Sequence, residues 1–337
     1  MQQSATSKHS FILKWVESID SDQDTRDANG FTTPTLPSPG TSSWANRSNF
    51  TGSCSDRILE EGAFYRRNNL QGNGIYLDYR RDATPEHITN LVNQMRQDRD
   101  SPGPEADAVL QDRKLHNLVH GGASKPQVAR YFLTRIFFDP RSLHCLKRDD
   151  REPMARRHLP SRTESNFEVS TPVPDAIYGY KQENAFPQQW DQLWSLGEEM
   201  MANNQLLVYP FLVVEFMGGE RGESMLAGMN RCMGGSASCV NMVEKLNRRV
   251  KQCTNDTVHP INSAAFSIAI RCTEARVCVS WKQNEQDYHM ADVDSFLLQV
   301  PEHSVKFYKY VQNILDWGKG ERLEGIRKCL EYLPKES

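Results

Sequence analysis

The chain has 337 residues, of which 38% are hydrophobic, and 40 basic against 43 acidic side chains give a formal net charge of −3. That balance supplies no global attraction to nucleic acid, so any such binding must come from a local patch. No stretch reaches the ~20 apolar residues needed to span a bilayer, MQQSATSKHS carries no apolar signal core, and the eight cysteines form no C-x-x-C pair. An intracellular protein, cytoplasmic or nuclear, is expected.

Residues 1–56 are rich in Ser, Thr, Asp, Asn and Pro and cannot bury enough apolar surface to offset their ordering entropy, so a disordered tail is expected. Within it, Phe11, Ile12, Trp15, Val16 and Ile19 share one helical face. Residues 8–19 are therefore a candidate docking segment for a protein partner. A single domain is expected over 57–333, with a helical N-terminal part at 57–145 and a core at 167–333.

Thr84-Pro85 predicts a helix start, with Thr as cap and Pro in the first turn. SPGPEAD precedes a second helix predicted over Ala106–Val119, and Ser124 caps a third that runs from Lys125 to Phe138. The polar, charged stretch 145–166 reads as a surface loop. A helix is expected from Gln188 to Ala202, with Trp190 and Trp194 four apart and packed into the core. The apolar run from Leu206 to Phe216 predicts a buried strand, and a long helix follows from Met225 to Val250. That helix is crowded with glycine, serine and alanine, and glycine costs about 1 kcal/mol relative to alanine inside a helix. Its small residues imply a close approach to a sheet, the alternative being that the Gly-Gly-Ser run breaks the helix in two. Alternation predicts strands at Ala264–Ile270, Arg276–Trp281 and Val293–Gln299, and two amphipathic helices close the chain. The fold class is α/β or α+β, a mixed sheet flanked by helices.

The chemistry concentrates in PFLVVEFM, Pro210 to Met217, read with Pro174-Asp175. A strand-end carboxylate beside an earlier Pro-Asp pair is the skeleton on which a hard cation could be held for phosphodiester cleavage. Residues i and i+2 of a strand share a face, so Glu215 and Met217 project together. A lysine at 217 would orient the attacking water and offset transition-state charge; methionine does neither. Arg231 and Lys181 are basic residues that could substitute for it. Elsewhere, Lys147, Arg148, Arg151, Arg156 and Arg157, with Arg248, Arg249 and Lys251, could form a basic strip, although interspersed acids favour a solvated loop.

The segments VSTPVPDAIYGY, YPFLVVEF, GGSASCVNMVEKLNR, NSAAFSIAIRCTEARVCVSWK, DSFLLQ and YVQNILDWGK resemble a fungal domain family of uncharacterised function with a PD-(D/E)XK nuclease-like core. The resemblance implies a restriction-endonuclease-like sheet, with Asp175 and Glu215 as Mg²⁺ ligands and position 217 as the catalytic lysine position. It also places Arg231 where the helix usually carries glutamine. With Met217 at the lysine position, the resemblance implies impaired catalysis. Any activity that survives would be Mg²⁺-dependent hydrolysis of DNA or RNA. The alternative is a non-catalytic protein- or nucleic-acid-interaction module.

Overall fold

The computed structural model describes residues 62–78, 84–99, 103–120, 122–137, 140, 145–219, 223–253 and 259–334. The expected tail and its docking segment, residues 8–19, lie outside the described residues.

A seven-stranded mixed sheet organises the fold, in the order β1-β7-β6-β5-β4-β3-β2. Its strands are β1 (Ile75–Asp78), β2 (Leu146–Asp149), β3 (Ala176–Lys181), β4 (Leu207–Met217), β5 (Ala265–Arg271), β6 (Glu274–Lys282) and β7 (Tyr288–Leu297). The α-helices of five or more residues among the described residues are α1 (Glu86–Met95), α2 (Ala106–Leu110), α3 (Arg113–His120), α4 (Lys125–Arg135), α5 (Trp190–Leu196), α6 (Met225–Cys253), α7 (Pro301–Trp317) and α8 (Leu323–Glu331). Pairs β1–β7 and β4–β5 are parallel and the other pairs are antiparallel. A parallel pair needs a crossover, and α6 supplies it between β4 and β5.

All eleven residues of β4 are buried, because it lies between β3 and β5 and is covered on both faces. On one face Phe216 stacks on Phe132 of α4, and Phe211 meets Trp317 of α7 edge-on. On the other face α6 lies close enough that a Cβ at Gly235 would come within 3.2 Å of Val213. A Cβ at Gly228 would come within 1.9 Å of Met217 Sδ. The small residues of α6 thus let the helix settle on the strand, and the helix runs unbroken through its Gly-Gly-Ser segment.

Several expected boundaries shift. Pro85, rather than Thr84, is the cap of α1, in an extended conformation. The predicted second helix breaks into α2 and α3 where Asp112 accepts bonds from the amides of Lys114 and Leu115. Ser124 caps α4 as expected, in a capping box with Gln127 that the sequence reading did not name, but the helix stops at Arg135. The expected loop at 145–166 contains β2, an edge strand whose Asp149 is buried and accepts a bond from Asn203. The helix expected over Gln188–Ala202 contracts to α5, and Trp190 and Trp194 are 41% and 66% exposed rather than packed in the core. The β5–β6 hairpin closes without glycine, because Cys272 takes the left-handed conformation at φ 51°.

Candidate functional site

Asp175 and Glu215 meet at the end of the β3–β4 ladder. The last printed pair is Ala176 opposite Val214, so Asp175 stands one step further, opposite Glu215, and cross-strand neighbours share a face. The contacts agree: Asp175 Oδ2 accepts a 2.8 Å hydrogen bond from the Phe216 amide. Both carboxylates are buried, Asp175 to 4% exposure and Glu215 to 1%.

A buried carboxylate is stable only when it is paired and hydrogen-bonded, and each of these has its own cation. Lys125 Nζ lies 2.7 Å from Asp175 Oδ2, and Arg231 Nε donates to Glu215 Oε2 at 2.9 Å. The two cations come from opposite layers. Lys125 stands in the first turn of α4, held by its Ser124 cap, and the α4 N-terminus docks on the end of β4 through the Gly219 amide bond to the Ala123 carbonyl, 2.8 Å. Arg231 projects from α6, between Gly228 and Gly235, onto the face that carries Val213, Glu215 and Met217. Both are largely shielded, with side chains 19% and 15% exposed.

Burial pushes the Glu215 carboxyl up to about 7 from an ordinary value of 4.5. Arg231 and Lys125 oppose the rise, while the neighbouring Asp175 reinforces it. With Glu215 ionised, the two carboxylates exactly offset the two cations in formal charge. With Glu215 protonated, the quartet carries a net positive charge.

Neither state suits a hard divalent cation, which needs several free oxygen ligands and a surplus of negative charge. One oxygen of each carboxylate is already engaged, Asp175 Oδ2 by Lys125 and the Phe216 amide and Glu215 Oε2 by Arg231, and the paired cations leave no surplus negative charge. Among the described residues no group of three or more His, Cys, Asp or Glu side chains could hold a metal ion. The residues present do not fit Mg²⁺.

Of the residues singled out in the sequence, the structure brings Asp175, Glu215 and Arg231 together. Met217 is fully buried beneath Gly228 on the same strand face. Lys181 stands at the other end of β3, opposite Leu207, six residues and about 20 Å from Asp175, so it takes no part. Lys125 is the member that sequence reading missed. The Ser124 cap before it was legible, but its meeting with Asp175 depends on how α4 docks.

The basic strip does not form as a continuous track. Lys147 pairs with Asp149, Arg148 with Asp150, Arg156 with Glu168 and Arg157 with Glu198.

A family model described as a domain of unknown function, DUF7924, matches residues 120–330. That span contains Lys125, Asp175, Glu215, Met217 and Arg231. No curated protein and no solved structure matches the chain.

Proposed function

The chain belongs to the DUF7924 family, and we propose that its domain is a PD-(D/E)XK nuclease-like scaffold that has lost hydrolysis and serves as a non-catalytic interaction module. One observation carries this reading: both candidate metal ligands are buried and each is neutralised by a cation of the same chain. Support for the scaffold comes from the strand-end juxtaposition of Asp175 and Glu215, with α6 packed along β4. Support for lost chemistry comes from Met217, whose thioether fills the space under Gly228 where the family resemblance implies a lysine. As a binding module the domain presents Trp190 and Trp194, exposed and stacked with ring centroids 6.4 Å apart, an arrangement suited to stacking against a protein or nucleic-acid partner.

The competing reading, surviving Mg²⁺-dependent hydrolysis by Asp175 and Glu215, requires the metal to compete with Lys125 and Arg231 for the two carboxylates. Installing the missing lysine separates the two. Met217→Lys, and the unaltered chain beside it, should give no Mg²⁺- or Mn²⁺-dependent nicking of plasmid DNA and no cleavage of RNA. Nicking by either protein that disappears on Asp175→Asn or Glu215→Gln would overturn the loss of chemistry.

A further inference from the structure

A second polar site lies on the other half of α6. From Arg231 to Lys245 is 14 residues, about 21 Å along a helix, so it is separate from the carboxylate pair. There the C-terminal half of α6, the loop 159–164 and the β6–β7 turn enclose a cleft of about 410 Å³, within the range of small-molecule sites. Its basic lining is drawn from four separate parts of the chain: Arg157, Arg162, Lys245 and Arg248, and Lys282 at the end of β6. Glu164 and Glu285 are the acids that face them.

These cations differ in how they are satisfied. Arg157 and Arg162 pair with Glu198 and Asp287. Among the described residues no carboxylate lies in salt-bridge range of Lys245 or Arg248. Lys282 is the most telling. Its side chain is only 8% exposed, yet its one carboxylate within ion-pair range among the described residues is Glu285, 3.7 Å away and 89% exposed. Its Nζ also lies 5.8 Å from the centroid of the Tyr288 ring. Burying an ammonium with so weak a counter-charge is costly, and an anion in the cleft would remove that cost. Lys245 is under related stress: burial lowers its pKa, with Arg248 and Arg157 adding to the effect and Glu199 opposing it.

The walls of the cleft are held by specific hydrogen bonds. Tyr288 donates from its hydroxyl to Asn241 Oδ1 at 2.8 Å, and Asn241 Nδ2 donates to the His158 carbonyl at 3.0 Å. Lys245 Nζ donates to the Arg157 carbonyl at 2.6 Å. On the loop, the Arg162 amide donates to Asn73 Oδ1 at 3.0 Å. Basic residues near a helix C-terminus commonly complement its dipole, but Lys282 belongs to the sheet and has no such role.

We propose that this cleft binds the phosphoryl group of a small ligand, with Lys282, Lys245 and Arg248 as its contacts. A phosphate oxyanion accepts several charge-assisted hydrogen bonds at once, which suits three under-matched donors converging on one space. A nucleic-acid strand fits less well, because the other basic residues of the expected strip, Lys147, Arg148 and Arg156, are paired with acids and provide no track for a backbone.

The test is calorimetric titration of the full chain with inorganic phosphate at pH 7, with chloride at matched ionic strength as the control. Saturable binding to phosphate alone is expected, weakened roughly tenfold or more by Lys282→Gln, a change of about 1.4 kcal/mol. Arg248 is exposed, so Arg248→Gln offers a second variant that does not disturb the interior, and it should weaken binding in the same direction. No saturable binding, or binding that both variants leave unchanged, would overturn the proposal. Tighter binding of a short single-stranded oligonucleotide, lost in the same variants, would overturn its assignment to a small ligand.

Discussion

Glu215 concentrates the physics of the candidate site in one side chain. Its carboxyl titrates near 7 because burial outweighs the attraction of Arg231. An acid whose folded pKa lies above its unfolded value binds more protons when folded, so the folded state loses stability relative to the unfolded state as pH rises from about 4.5 to 7. Glu215→Gln removes this titration. Tm values measured from pH 5 to 8 should show the wild type losing ground to Glu215→Gln up to about pH 7 and levelling off above it, and a difference constant over the whole range would contradict the assignment. The same scale explains why Lys125 escaped notice. The Ser124 cap marked it as a first-turn residue, a position that ordinarily faces solvent, and nothing in the local pattern pointed to a buried carboxylate 50 positions later.

At the scale of elements, the sequence was most legible where burial is continuous or helical spacing long. β4 is apolar at every position but one, and α6 carries a small-residue face that pointed to close packing, with a break at Gly-Gly-Ser as the alternative. The edge strands were hidden for the opposite reason. β2 reads LKRD and pairs on one side only, and an edge strand needs charge more than apolar alternation. Its four residues therefore looked like loop. β1, at the other edge, is equally short. The exposed Trp190 and Trp194 mark a different limit, since helical spacing shows that two side chains share a face but not which way the face turns. Close approach also recurs where the chain leaves α7. A Cβ at Gly318 would come within 2.2 Å of the Phe211 ring, and an aromatic ring in a packed core cannot bend aside. Gly318→Ala should therefore destabilise the protein by about 1–3 kcal/mol in urea unfolding. Phe211→Leu combined with it should cost less than the sum of the two single changes. Additive costs would show that the contact is not responsible.

For the whole molecule, the fold class was legible and the state of its chemistry only partly so. The skeleton of Asp175 and Glu215 was visible in PFLVVEFM and its upstream Pro-Asp, as was the replacement at Met217. Arg231 was visible as a basic residue that could reach the site, but Lys125 was not, because it arrives from the layer on the opposite side of the sheet. The quartet they form is a balanced structural cluster. Breaking one pair leaves a buried charge uncompensated, so Lys125→Ala should destabilise the fold by about 3–5 kcal/mol if that charge stays buried, read as a shift in the urea midpoint at constant m. A shift within about 0.5 kcal/mol, typical of a surface substitution, would contradict a structural role.

The central claim is that the carboxylates are engaged by the protein itself and hold no metal. Calorimetric titration of the full chain with Mn²⁺ at pH 7.5 tests it most directly. The account predicts no saturable heat attributable to the site, with the wild type and an Asp175→Asn, Glu215→Gln double variant giving the same trace. Saturable binding in the wild type that the double variant abolishes would contradict it.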